Sequence, residues 1–286
     1  MIGQLLTASR PLSWINTAYP FALTLLLLHR PVDVPLLVVG TVYFLVPYNL
    51  AMYGINDVFD YESDLRNPRK GGVEGAVLHP RFHRPVLIAA VVVNLPFLVA
   101  LVLLGRPASW PVLAICVFAV VAYSAKGLRF KERPVLDSVT SSTHFVSPAV
   151  YAVALTGRVP DARTVLLLAA FFCWGMASHA FGAVQDVPAD REAGIGSVAT
   201  VIGAGRTVAG ATVLYAAAGV LAACSGWPTA LAAVVALPYL AMCAPFLMID
   251  DAHAERANRG WRRFLAINYG AGFLVTLLAI GAVAFA

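Results

Sequence analysis

Three aspartates recur at spacings of three and four in Asn56-Asp57-Val58-Phe59-Asp60-Tyr61-Glu62-Ser63-Asp64. At ~100° per residue an α-helix brings Asp57, Asp60 and Asp64 within roughly 60° of one another, with Asn56, Tyr53 and Asn49 on the same face and Glu62 elsewhere. Like charges so spaced repel and destabilise a helix. They also close a long apolar run, where charge is costly. A cation among them answers both problems. Hard oxygen donors on one face suit Mg²⁺, which proteins hold with a few carboxylates plus substrate phosphates. A second pair, Asp186 and Asp190 in Gln185-Asp186-Val187-Pro188-Ala189-Asp190, ends another apolar run. These two are one helical turn apart, and His179 shares their face about two turns back. Pro188 is expected to leave this helix irregular and to free backbone groups near a ligand. Two acidic clusters facing each other would suit a metal-bridged diphosphate. The plainer alternative for the first cluster is a helix end solvated at a membrane surface, and DxxxD alone is a weak pattern.

The first motif runs into Arg66-Asn67-Pro68-Arg69-Lys70. Phosphate-binding cations thus follow metal-binding carboxylates. A third stretch, Tyr123-Ser124-Ala125-Lys126-Gly127-Leu128-Arg129-Phe130-Lys131-Glu132-Arg133-Pro134, is expected on the same side. It is either a phosphate clamp, with Tyr123, Lys126, Arg129 and Lys131 steadying charge on a leaving group, or an ordinary basic loop beside a membrane. Asp137-Ser138 through Ser142-Thr143-His144 are unusually polar for a membrane helix. Such residues face a bundle interior; their hydroxyls can equally bind neighbouring backbone. His144 and His179, with Trp14, Tyr19, Tyr48, Asn49 and Tyr53, are candidates for an acceptor cavity. Aromatic faces there would stabilise a carbocation, with packing and interfacial roles as the competing account.

The elements that must position these groups follow from composition. The chain has 286 residues, 60% hydrophobic and 12% charged, with a mean hydropathy of +0.78. Soluble domains carry about 25% charged residues, so a soluble fold is excluded. The expectation is an all-α, polytopic membrane helical bundle of about nine spans, near 12–28, 34–57, 85–104, 110–125, 137–155, 164–185, 207–224, 228–249 and 264–285. Pro20, Pro47, Pro96 and Pro148 fall inside spans, where membrane helices tolerate kinks. The net charge of +5 reflects basic loops in a lipid bilayer rather than a nucleic-acid partner. Of the 20 Lys and Arg residues, only Arg30, Arg106, Arg158 and Arg163 fall in one set of loops. The positive-inside rule then predicts a cytoplasmic N-terminus, cytoplasmic aspartate loops and an external C-terminus. The four cysteines lie within apolar runs without metal or redox spacing, so neither disulfides nor zinc are expected. No signal peptide is evident. One domain, 1–286, is expected, with a weak echo between the two aspartate-bearing helices.

The paired aspartate motifs on the second and sixth helices, Arg10-Pro11, and Tyr123-Ser124 followed by Arg129-Phe130-Lys131-Glu132-Arg133-Pro134 resemble the UbiA superfamily of intramembrane prenyltransferases, over nearly the whole chain. That resemblance implies nine helices around a central cavity open to the cytoplasmic side. It also implies a prenyl diphosphate held through Mg²⁺ by both aspartate motifs, and transfer to a lipophilic acceptor. Ser13-Trp14-Ile15-Asn16-Thr17-Ala18-Tyr19-Pro20, Met52-Tyr53-Gly54-Ile55-Asn56-Asp57, Asn67 to Ala76, Ser141-Ser142-Thr143-His144-Phe145 and Gly182-Ala183-Val184-Gln185-Asp186 resemble its bacterial lycopene-elongating members. These add C5 units to lycopene. One departure stands out: where members often have Tyr-x-x-x-Lys, the lysine here is Lys126 and Gly127 takes its place.

The resemblance therefore implies dimethylallyl diphosphate as donor and lycopene or a related carotenoid as acceptor. Asp57, Asp60, Asp64, Asp186 and Asp190 would bind metal. Arg10, Asn56, Arg66, Arg69, Tyr123, Lys126, Arg129 and Lys131 would bind diphosphate, and Glu74 or released diphosphate would take the final proton. The alternatives are a quinone-type aromatic acceptor, an intramembrane terpene cyclase, or an ion-coupled transporter. A transporter site would lie nearer the midplane.

Overall fold

The computed structural model describes residues 1–28, 31–65 and 77–284, and those residues form helices without strands. Chain order is α1 (Ile2–Ser9), α2 (Ile15–Leu28), α3 (Val34–Leu45), α4 (Pro47–Phe59), α5 (Tyr61–Asp64), α6 (His83–Leu104), α7 (Trp110–Ser124) and α8 (Leu136–Thr156). Then come α9 (Ala162–Val184), α10 (Val187–Glu192), α11 (Val198–Ile202), α12 (Ala204–Ala223), α13 (Ala236–Cys243) and α14 (Asn258–Ala284). Short 3-10 stretches join several of them, and those at Thr229–Val235 and Ala244–Phe246 extend α13 into one rod.

Seven of these rods are long and apolar enough to cross a membrane, among the described residues. An eighth forms if the N-terminal pair, bent by 58° between Ser13 and Ile15, counts as one. Thus apolarity alone yields eight spans at most where nine were expected. The expected span 137–155 is the 21-residue α8. It is long enough at ~1.5 Å per residue, but its first half is too polar to pass. Outward faces are apolar, as lipid requires: Leu103 on α6 is 78% exposed.

The chain packs as two compact units, Met1–Phe130 with His144–Arg158, and Lys131–Thr143 with Val159–Ala286, and it passes from one to the other within α8. In the first unit, Phe21, Tyr43, Phe44, Tyr48 and Tyr151 form a fully buried aromatic core. Phe21 and Phe44 stand 5.1 Å apart, and Phe44 and Tyr48 5.2 Å. Gly40 on α3 makes this possible, since a Cβ there would strike the Phe21 ring. In the second unit, Phe181, Val208, Tyr215, Tyr239, Phe246 and Phe264 do the same work.

The line from α3 to α4 breaks at Val46, because Pro47 has no N–H to continue the ladder. The carbonyls freed there are met from the side. The Asn49 amide nitrogen donates to Phe44 O (2.8 Å), Leu45 O (3.1 Å) and Thr17 Oγ1 (2.7 Å), while Thr17 Oγ1 donates to Phe44 O (2.6 Å). Asn94 donates to Pro47 O at 2.7 Å. Without water in the bilayer core, such internal donors are what make the kink tolerable.

Candidate active site

In the first unit α4 carries Tyr53, Asn56 and Asp57 to its C-terminal end. The expected uninterrupted helix through all three aspartates is broken: α4 ends at Phe59, Asp60 sits at φ −101° and ψ 0°, and Asp64 belongs to the single turn α5. The spacing still holds, because Asp60 N–H donates to Asn56 O (2.9 Å) and Asp64 N–H to Asp60 O (2.8 Å). Asp57, Asp60 and Asp64 are 0%, 7% and 6% exposed. Three carboxylates buried so closely require compensating cations.

Two arginines approach them. Arg10 Nη2 donates to Asp57 Oδ1 at 2.7 Å, with its guanidinium 4.3 Å from the centre of the Tyr53 ring. Arg129 Nη2 lies 3.7 Å from Asp60 Oδ1, and Nη1 donates to Phe59 O at 3.4 Å. Both arginines adopt left-handed backbone, at φ 50° and 41°. This conformation costs a residue with a Cβ about 1–2 kcal/mol. It ends α1 at Arg10 and turns the chain after α7 at Arg129. Arg10 Nε is buried and has no hydrogen-bond partner among the described residues. An anion oxygen beside the aspartates would satisfy that donor.

Other expected residues fall in place less directly. Asn56 donates to Ser124 Oγ (3.0 Å), tying the aspartate helix to the end of α7. Tyr123 meets His144 edge to face at 5.1 Å. Lys126 is exposed beside Gly127, whose φ of +90° no side chain adopts without strain. In this stretch Arg129 reaches the first aspartate motif. Trp14 donates to Ser9 O (2.9 Å) at the N-terminal bend. Asn49 is wholly buried, with its amide nitrogen held at the α3–α4 kink. Arg66, Arg69 and Glu74 lie outside the described residues.

In the second unit α9 ends at Val184, and Asp186 occupies the N-cap position of the separate α10. Pro188 falls within the first turn of α10, where its missing N–H costs nothing, and α9 stops four residues before it, so the helix is irregular here as expected. Asp190 N–H donates to Asp186 O at 2.8 Å, keeping the two one turn apart. Lys131 also belongs to this unit.

The same unit holds a set of polar contacts whose partners no sequence pattern predicts, although Asp137, Ser138 and His179 themselves stand out in the sequence as polar or candidate residues. Asp137 Oδ2 accepts from Val198 N–H (2.7 Å), Asp137 Oδ1 accepts from Ser138 N–H (2.6 Å), and Ser138 Oγ lies 3.2 Å from His179 Nδ1. Asn258 donates to Gln185 Oε1 at 2.6 Å. Arg191 pairs with Asp251 at 2.7 Å and donates to Thr200 O at 2.9 Å. Only the Ser197–Thr200 capping box here had a local signature.

No group of three or more His, Cys, Asp or Glu side chains among the described residues converges into a complete metal cage. Mg²⁺ does not need one, because it keeps waters and takes phosphate oxygens beside one or two carboxylates. The all-carboxylate donors and the orphaned Arg10 Nε fit such a substrate-completed site.

The pattern of the UbiA prenyltransferase family matches residues 18–285. The chain is 55% identical over 284 residues to a C(50) beta-cyclic carotenoids biosynthesis protein from Dietzia sp. (strain CQ4), covering 99% of this chain but 66% of that protein. It is 52% identical over 279 residues to the lycopene elongase/hydratase of Corynebacterium glutamicum, covering 98% and 97% of the two. Its fold is similar to a UbiA homolog from Archaeoglobus fulgidus solved with DMAPP and Mg²⁺, with a TM-score of 0.66, 18% identity, and coverage of 93% and 98%.

Proposed function

Because the chain belongs to the UbiA prenyltransferase family, we propose that it transfers dimethylallyl groups to the ends of lycopene, taking a C40 carotenoid to C45 and C50. It is a multi-pass membrane prenyltransferase. The acceptor reading rests on the likeness to the Corynebacterium elongase/hydratase along nearly the full length of both proteins. The geometric support is Arg10: one nitrogen on buried Asp57 and another buried nitrogen still to be satisfied, next to an acidic cluster.

In this reading Asp57, Asp60 and Asp64 would hold Mg²⁺, and Asp186 and Asp190 would serve as a second metal-binding motif. When bound, the ion supplies Lewis-acid withdrawal of charge from the diphosphate oxygens. Arg10 and Arg129 bind those oxygens directly, joined by Asn56, Arg66, Arg69, Tyr123, Lys126 and Lys131. Their charge counts most as the allylic C–O bond breaks and both electrons leave with the diphosphate. The terminal alkene of lycopene then attacks the allylic carbon. The resulting tertiary cation either loses a proton to diphosphate or captures water and passes a proton to it. Aromatic side chains, Tyr53, Trp14 and Tyr123 with His144, flank the cation and keep water from quenching it early. The charged loops and N-terminus face the cytoplasm, from which the soluble donor arrives.

The test is a product assay on purified protein in lipid with dimethylallyl diphosphate, Mg²⁺ and lycopene, followed by carotenoid mass analysis. The expected result is a gain of one or two C5 units, absent in Asp57→Ala, with any added water read from the same spectrum. Unchanged lycopene alongside a prenylated aromatic acceptor would overturn the acceptor while keeping the diphosphate site.

A further inference from the structure

We propose that the second unit carries a site for the headgroup of an anionic phospholipid, in a cavity of about 440 Å³ between the end of the α13 rod and the start of α14. Its polar wall is Arg256, Arg259 and Arg263, and its apolar wall includes Phe246, Met248 and Ile249.

Arg259 and Arg263 are four apart on α14 and so share a helical face, and Arg256 joins them from the 3-10 stretch Asp251–Ala257 just before it. Like charges so spaced are mutually destabilising. Arg259 also lies in the first turn of α14, where the helix dipole repels cations. None of the three makes an ion pair among the described residues. The one carboxylate lining the cavity, Asp250, is already engaged: His253 Nδ1 lies 2.7 Å from its Oδ1, and this contact holds the carboxyl below its usual range. Three cations thus converge on one space and outnumber its single carboxylate.

The positive-inside rule explains why basic residues gather in this loop, but not why three of them line one cavity beside bare hydrocarbon. Met248 is 95% exposed at the end of a membrane-length rod. Guanidiniums bind phosphate oxygens through paired N–H groups, and basic pockets at helix ends take lipid headgroups. An exposed methionine beside them favours a ligand with an acyl chain over a free anion. None of the residues lining this site belongs to either aspartate motif, and the site does not depend on the proposed reaction.

The experiment uses the full chain in nanodiscs of mixed phosphatidylglycerol and phosphatidylcholine, with retained lipid read by native mass spectrometry. Arg259→Gln/Arg263→Gln is compared with Arg262→Gln, which removes charge from the same helix outside the cavity wall. At about five-fold per cation, the double variant should lose roughly ten- to thirty-fold in phosphatidylglycerol retention while Arg262→Gln keeps it. Equal loss in both, or equal retention of phosphatidylcholine by the wild type, overturns the site. Should the double variant fail to fold, the wild type decides alone. Phosphatidylglycerol must raise its thermal midpoint more than phosphatidylcholine or inorganic diphosphate; equal protection by diphosphate overturns the lipid assignment.

Discussion

Arg10 Nη2 and Asp57 Oδ1 meet at 2.7 Å although 47 positions separate them, and the carboxylate they join is fully buried. The pair fixes the N-terminal bend against the end of α4. Arg10→Gln leaves Asp57 buried without its cation, a loss of about 3–5 kcal/mol for such pairs. Asp57→Asn added to Arg10→Gln removes the stranded charge and should recover much of the thermal midpoint without recovering turnover. Equal midpoints for the single and double variants would show that the pair is not what holds the bend.

Metal removal should act on chemistry and spare the fold. Chelation is expected to stop diphosphate release, and added Mg²⁺ to restore it. Asp190→Asn should raise the Mg²⁺ concentration for half-maximal rate by about ten-fold or more, the scale seen when a metal site loses a supporting group. An unchanged Mg²⁺ midpoint would remove Asp190 from the metal site.

Asn49 offers a choice between structural and acceptor roles. Asn49→Leu strips the side-chain donor from Leu45 O and leaves Phe44 O with Thr17 Oγ1 alone, and an unsatisfied buried group costs about 1–3 kcal/mol. Thermal stability should fall while KM for the carotenoid stays put. A raised carotenoid KM at unchanged stability would instead place Asn49 in the acceptor cavity.

Gly40→Ala forces a methyl into the Phe21 ring. Overpacking of this kind costs about 1–3 kcal/mol. Phe21→Leu in the same chain should return part of the loss, as measured by thermal unfolding in detergent.

Asp161 caps α9 through Thr164 N–H at 2.8 Å, and hydrogen bonding to Thr164 lowers its pKa. A carboxylate stabilised on folding contributes above its unfolded pKa of about 3.9 and loses that contribution as pH falls through the lower folded value. Asp161→Asn keeps a cap but not the charge. The wild type should therefore be more stable by a few tenths of a kcal/mol at neutral pH, a small effect because the group is exposed. Acid titration of both thermal midpoints should bring the curves together.

The aspartate faces, the apolar runs and the cations near them were legible because each depends on local spacing. Asp57, Asp60 and Asp64 stay in register even though α4 stops at Phe59. The stop was not legible, because the turn at Asp60 depends on surroundings that a periodic pattern does not contain. Asn49 shares the face of Tyr53 and Asp57 in sequence, yet its amide nitrogen serves the α3–α4 kink. Asp137 is bound to Val198, 61 positions away, so no motif could announce that contact. Proline inside a span likewise signals a kink without saying which side chain will meet the freed carbonyls.

The polarity of α8 bears on how the protein is made. Asp137, Ser138, Thr140, Ser141, Ser142, Thr143 and His144 crowd its first half. Insertion machinery that samples segments by their partitioning into lipid would reject such a helix taken alone. The ribosome must therefore have delivered later helices before α8 finds a stable place. A nascent chain arrested just after Thr156 should hold this segment at the translocon or in water, and release it into the bilayer only once α9 has followed.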